Sequence, residues 1–249
     1  MTPLHFQSAT SLGRQIAAGT LGGREALEHF LARLDRLNPA INAVVVQDRA
    51  SARVRADAAD ARRANGDPLG PLHGVPMTIK ESYDLAGLPT TWGIPELRGS
   101  IATQDALAVQ RLAAAGANVF GKTNVPIRLA DFQSYNALYG TTHNPWKHGA
   151  TPGGSSGGSA AALAAGLTGL EIGSDIGGSI RNPSHYCGVF GLKPTWNLLP
   201  MRGHALGGVL TPTDISVIGP LARSAHDLET ALRLMSPPDN QFHPWLMGM

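Results

Sequence analysis

The sequence predicts an α/β protein, a layered α/β/α fold in which helices cover a mixed sheet. Three observations lead there. Short apolar runs bounded by turn residues alternate with segments of helical periodicity, the chain holds 30 glycines and 18 prolines, and 43% of its 249 residues are hydrophobic against 15% charged. Such glycine and proline content means many tight turns. The apolar content is that of a globular chain long enough to bury a substantial core.

Taken in order, Ser8 to Ala18 and Arg24 to Leu37 carry apolar residues at i, i+3 and i+4 and predict two helices. In the second these are Leu27, Phe30, Leu31 and Leu34, and Asn38-Pro39 is expected to end it. A short strand is expected over Ile41 to Val46, then an Ala/Arg-rich helix from Asp48 to Ala64, stopped by Asn65-Gly66. Val75 to Ile79 reads as a buried strand ending at Lys80. Thr103 is expected to cap a helix from Gln104 to Ala115 that Gly116 terminates, with a strand at Asn118 to Phe120. TPGGSSGG, from Thr151, reads as a loop feeding an alanine-rich helix, Ser159 to Ala165. Leu170 to Ile172 is a further short strand before the loop SDIGGSIRNP. Val217 and Ile218 suggest a last strand, and Ser224 with Asp227 forms a capping-box pattern opening a helix to about Met235.

The formal net charge is +2. The densest basic group, Arg53, Arg55, Arg62 and Arg63, has no interleaved aromatics and reads as the solvated face of a helix, so no nucleic-acid partner is expected. A single cysteine, Cys187, excludes an internal disulfide. Met1 to Gly19 lacks the apolar run of a secretory signal. No stretch reaches the roughly 18 apolar residues of a membrane span. A cytoplasmic protein with no membrane partner is the expectation.

Two glycine-flanked serine loops dominate the middle of the chain, GGSSGGS at 153–159 and GSDIGGSIR at 173–181. Glycines beside a serine let backbone approach a substrate and aim several N–H groups at one point, as an oxyanion hole requires. A single loop of this kind is equally a flexible turn. A serine nucleophile also needs a base. None of the nine histidines has a context that suggests one, whereas Lys80 is an isolated cation at the end of an apolar strand. At an ordinary pKa only about one lysine in 2,500 is neutral at pH 7, so burial would have to lower that value. On its own, Lys80 reads as a surface lysine.

As a set, Lys80 in GVPMTIKES, Ser155 in GGSSGGS and Ser179 in SDIGGSIR resemble the amidase signature family. The resemblance extends to LNPAINAVV at 37–45, GPLHGVP at 70–76 and GVFGLKPT at 188–195, and runs from about residue 8 to 235. It implies an amidase that hydrolyses a carboxylic amide to a carboxylate and ammonia or an amine. Ser179 would attack the carbonyl to form an acyl-enzyme, Ser155 would bridge the proton to Lys80, and the peptide bond before Ser155 would be cis. Backbone N–H groups of Ile176, Gly177, Gly178 and Ser179 would form the oxyanion hole. Ser156, Asp175 and Arg181 match positions that brace the two loops. The implied substrate is a small-molecule amide, with Asp131 to Tyr139 lining its pocket, and neither a cofactor nor a metal is implied.

Family members are about twice as long as this chain. Residues 1–249 therefore read as a single domain truncated on its C-terminal side, with a helical region at about 8–64 and a catalytic core at about 70–235. The last residues, SPPDNQFHPWLMGM, show no recognisable continuation. Two alternatives follow: a truncated, weakly active or inactive chain, or a subunit completed by a partner polypeptide or a second copy of itself.

Other signals point elsewhere. GANVFGKT at 116–123 matches the P-loop pattern formally, but a helix precedes it and its interior is strand-like. Cys187 reads as a small buried apolar residue. His143 and His148 have neither helical metal-pair spacing nor an HExxH context, and His73 reads as structural.

Overall fold

The computed structural model describes residues 2–206 and 213–237. The chain begins with helices α1 (Ala9–Ala18) and α2 (Gly23–Ile41), strand β1 (Val44–Gln47) and helix α3 (Arg49–Ala64). Ser8 caps α1 by accepting the Ser11 N–H, and Gly19 closes it at φ 74. In α2 the residues Leu27, Phe30, Leu31 and Leu34 are all buried, as their spacing predicts, and each contributes about 1.5–3 kcal/mol of burial. The helix does not stop at Asn38-Pro39 but runs to Ile41 with Pro39 inside it. Proline's fixed φ is itself helical, and Asn38 serves the turn that follows. Its side-chain oxygen accepts the Ala43 and Val44 N–H groups at 2.9 Å, while its carbonyl accepts from Asn42.

Next come β2 (Pro76–Lys80), α4 (Leu107–Ala114) and β3 (Asn118–Thr123). Thr103 does not cap α4, whose N-cap position is Ala106. Residues 103–106 are drawn into the preceding loop instead: Ala106 N–H donates to Asp84 O and the Asp105 carboxylate accepts from Ala86 N–H. β3 is longer than its apolar core suggests because Gly121, Lys122 and Thr123 continue the ladder with β1 and β2. GANVFGKT is thus a helix end followed by a buried strand.

After the small hairpin β4 (Tyr135–Asn136) and β5 (Gly140–Thr141) come α5 (Gly157–Ala164), β6 (Glu171–Asp175), α6 (Arg181–Cys187), β7 (Phe190–Gly191), β8 (Val217–Ala222) and α7 (Ala225–Met235). β6 continues past Ile172 to Asp175, α6 replaces part of an expected loop, and α5 begins two residues early. Ser224 accepts the Asp227 N–H as expected. The Asp227 carboxylate turns away from its own helix and accepts Ala9 N–H, Thr10 N–H and the Thr10 hydroxyl, joining α7 to the start of α1. The stretch after Pro237, where no continuation was expected, lies outside the described residues.

β1, β3 and β2 form a mixed sheet, antiparallel between β1 and β3 and parallel between β3 and β2. β6, β8 and β7 form an antiparallel sheet. The two sheets meet at β2 and β6, where Gly169 N–H donates to Pro76 O and Thr78 N–H to Thr168 Oγ1. α5, entirely buried except at its last residue, packs on strands of both sheets; α2 lies on β2, α3 on β3 and α7 on β8. This is the expected layered α/β architecture. One cluster of buried apolar side chains runs through it from Ala9 to Met235. Among the described residues no helix is long and apolar enough to cross a membrane.

Candidate active site

Lys80 is the last residue of β2, and its side chain is fully buried at the meeting of the two sheets. Its Nζ donates to Ser155 Oγ at 2.6 Å and to Ser174 Oγ at 2.9 Å. Burial pushes its pKa down from 10.5 to about 7, while the Asp175 carboxylate pulls it upward. The Lys80 amine is therefore poised near neutrality.

Ser155 lies in the loop entering α5, and the Gly154–Ser155 peptide is cis. Only glycine fits at 154, since a Cβ there would sit 2.3 Å from Gln133 O and 2.6 Å from Asp131 O. Ser156 joins this loop to the second one. Its N–H donates to Ser179 O at 3.0 Å, its hydroxyl donates to Ser174 O, and that hydroxyl also accepts the Ser174 N–H, both at 3.3 Å.

The second loop turns around Asp175 at the end of β6. One carboxylate oxygen accepts Gly178 N–H at 2.9 Å, and the other accepts Ile180 N–H at 3.0 Å and Arg181 N–H at 3.3 Å. The Arg181 guanidinium grips both oxygens, at 2.9 and 3.1 Å. Burial alone would raise the Asp175 pKa, but Arg181 and these backbone donors together hold it below its ordinary value. Gly178 adopts φ 130, a conformation that side chains disfavour. Its N–H, expected in the oxyanion hole, donates to Asp175. The N–H groups of Ile176, Gly177 and Ser179 make no hydrogen bond among the described residues, and neither does the Ser179 hydroxyl.

Lys80, Ser155, Ser156, Asp175, Ser179 and Arg181 thus converge from three separate segments. Sequence reasoning missed Ser174, although it lies within the quoted GSDIGGSIR run. Continuing the period-two pattern of β6 beyond Ile172 would have put Ser174 on the same face as Ile172, but not beside the lysine. Glu171 and His204 were missed as well. Glu171 is a fully buried acid at the start of β6. His204 is buried between Tyr83 and Trp92 with a ring nitrogen 3.0 Å from Ser82 Oγ, and burial pushes its pKa down to about 3.

The remaining motifs have local partners. Cys187 is buried and its thiol is pushed up to about 12 by that burial. His73 is buried with Nε2 3.0 Å from Ala59 O. The rings of His143 and His148 lie 4.2 Å apart in the loop after β5. Arg53 pairs with Glu28, and Arg55 pairs with Asp48. Among the described residues no group of three or more His, Cys, Asp or Glu side chains could hold a metal ion.

A family model described as amidase matches residues 25–246. An acylamidase of Rhodococcus erythropolis is 45% identical over 239 residues, covering 95% of this chain and 49% of the relative. One of the subunits of the glutamyl-tRNA(Gln) amidotransferase of Roseiflexus castenholzii is 41% identical over 239 residues, 96% of this chain and 48% of the relative. Among solved structures, one described as a vestigial protein complex revealing the evolutionary origins of an s-triazine catabolic enzyme is 40% identical, with a TM-score of 0.88 over 94% of this chain and 50% of that one. The chain spans about half the length of the curated relatives it matches.

Proposed function

The chain belongs to the amidase family, and from that premise we propose that it carries the catalytic apparatus for hydrolysing a carboxylic amide through an acyl-enzyme on Ser179. The contact of the fully buried Lys80 with Ser155 at 2.6 Å is the observation that carries this proposal. A neutral Lys80 accepts the Ser155 proton as Ser155 takes the proton of Ser179, and Ser179 Oγ bonds to the amide carbon. The carbonyl oxygen becomes an oxyanion facing the N–H groups of Ile176, Gly177 and Ser179, while Gly178 supplies the turn. Lys80 then returns the proton through Ser155 to the amide nitrogen, the C–N bond breaks, and ammonia or an amine leaves. Water, deprotonated through the same relay, attacks the ester and releases the carboxylate. Ser156, Asp175 and Arg181 hold the two loops in register.

The name of the Rhodococcus relative favours an acyl amide as substrate, with Asp131 to Tyr139 beside it; the ring of Phe132 would lie 3.4 Å from a Cβ at position 178. A single catalytic domain is part of the same reading, supported by the continuous core from Ala9 to Met235. So is a cytoplasmic setting. A fluorophosphonate probe tests the chemistry. Labelling at Ser179 that is lost in Ser179→Ala supports it, and a folded chain that never labels overturns it.

The shared half-length with relatives that include part of an amidotransferase favours one second reading, a subunit completed by another polypeptide. Light scattering on the purified chain tests it, since a stable, fully labelled monomer removes the need for a partner.

A further inference from the structure

Resting on the proposed role of Lys80 and Ser155, we propose that Glu171 is the positioning residue that holds the lysine's strand against the serine loops. The seam between the two sheets explains why one is needed. β2 has β3 as its ladder partner and β6 has β8, so the two strands that bring Lys80 and Ser174 together are not zipped to each other. Backbone groups join them only near Pro76 and Thr78, through Gly169 and Thr168. From Thr78 to the ends of the strands, the described bonds across the seam come from side chains. Thr78 Oγ1 donates to Glu171 Oε1, Tyr83 Oη donates to Gly173 O at 2.6 Å, and Lys80 Nζ donates to Ser174 Oγ.

Glu171 forms the lowest of these links. Thr78 lies two residues before Lys80 on the same face of β2, about 6.6 Å along the strand. Glu171 lies three residues before Ser174 on β6. Nearby, the hydroxyls of Ser159 on α5 and Thr123 on β3 bond each other at 2.8 Å and help hold the carboxyl's pKa down, while Glu171 Oε2 is buried with no hydrogen-bond partner among the described residues. Glu171 is therefore bonded to the strand carrying Lys80 and lies close to the helix that follows Ser155 and to β3. The titratable group facing it is Tyr83. Burial raises its own pKa from 4.5 to about 8, against the pull of the Thr78, Ser159 and Thr123 hydroxyls, so near pH 7 it is mostly a neutral acid. Glutamine can reproduce a neutral acid in size and hydrogen bonding; leucine can reproduce only its bulk.

The test compares Glu171→Gln and Glu171→Leu with the parent, using fluorophosphonate labelling rates at pH 7 and melting curves from pH 5 to 9. Glu171→Gln should label within threefold of the parent, and Glu171→Leu at least tenfold more slowly at a temperature where its circular dichroism shows it folded. A folded Glu171→Leu that labels at the parental rate overturns the positioning role, as does a Glu171→Gln as slow as Glu171→Leu. Melting gives a readout independent of chemistry. Between pH 4.5 and 8 the folded parent binds a proton at Glu171 that the unfolded chain lacks, so its stability falls relative to Glu171→Gln as pH rises and levels off above 8. A melting-temperature gap that does not change with pH overturns the buried neutral acid. A parent that never labels while this gap still widens condemns the amidase chemistry and leaves the seam intact.

Discussion

Changing pH across neutrality should switch the reactivity of Ser179 through Lys80. With its pKa lowered to about 7 by burial, Lys80 is neutral in about half of the molecules at pH 7, against roughly one in 2,500 for an unperturbed lysine. The tertiary environment thus makes the base available about a thousandfold more often. Below pH 7 each further unit should cut the rate about tenfold, because the protonated amine cannot accept from Ser155. Lys80→Arg replaces it with a group that stays charged throughout, so the rate at pH 8 should fall by about 10²–10⁴. The assay is the second-order rate constant of fluorophosphonate labelling from pH 5 to 9. A flat profile, a midpoint above 9, or a Lys80→Arg chain labelling as fast as the parent would refute the reasoning. The same shift has a consequence for stability. Between pH 7 and 10.5 the unfolded chain binds a proton at Lys80 that the folded chain does not, so this residue's contribution to stability grows as pH rises through that window.

Ser155→Ala should slow labelling by about 10² or more with little change in melting temperature, since it removes the bridge without opening a large cavity. Asp227→Ala should cost about 2–3 kcal/mol in urea unfolding, because it strips the start of α1 of three hydrogen bonds to one buried carboxylate. Its labelling rate at 25 °C should stay at the parental value while the chain is folded. Cys187, buried and with its thiol near 12, should resist iodoacetamide at pH 8 in the folded chain and react once the chain is denatured in urea.

Much of the framework was legible because its causes are local. The buried faces of α1 and α2 follow from apolar spacing, and Ser8, Asp48 and Ser224 cap their helices with their own side chains. Failures came where distant partners override local signals. Pro39 sits inside α2 because Asn38 is occupied by the turn into β1, and Thr103 gives up its expected cap because Asp84 and Ala86 hold the residues that follow it. β3 and β6 outran their apolar cores because polar residues such as Lys122, Ser174 and Asp175 continue strands whose partners satisfy them.

By itself, the sequence determined which residues could carry the chemistry. Lys80, Ser155 and Ser179 sit in motifs whose glycines permit close backbone approach, and that permission is a property of the local chain. Tertiary structure alone decided how the residues work together. Lys80 meets Ser174 across 94 positions and Thr78 meets Glu171 across 93, so no local pattern announces either contact. It also turned Gly178 N–H toward Asp175 and brought the lysine's pKa to neutrality. The physical reason is that desolvation and seam geometry arise only when separate strands close over the same buried point.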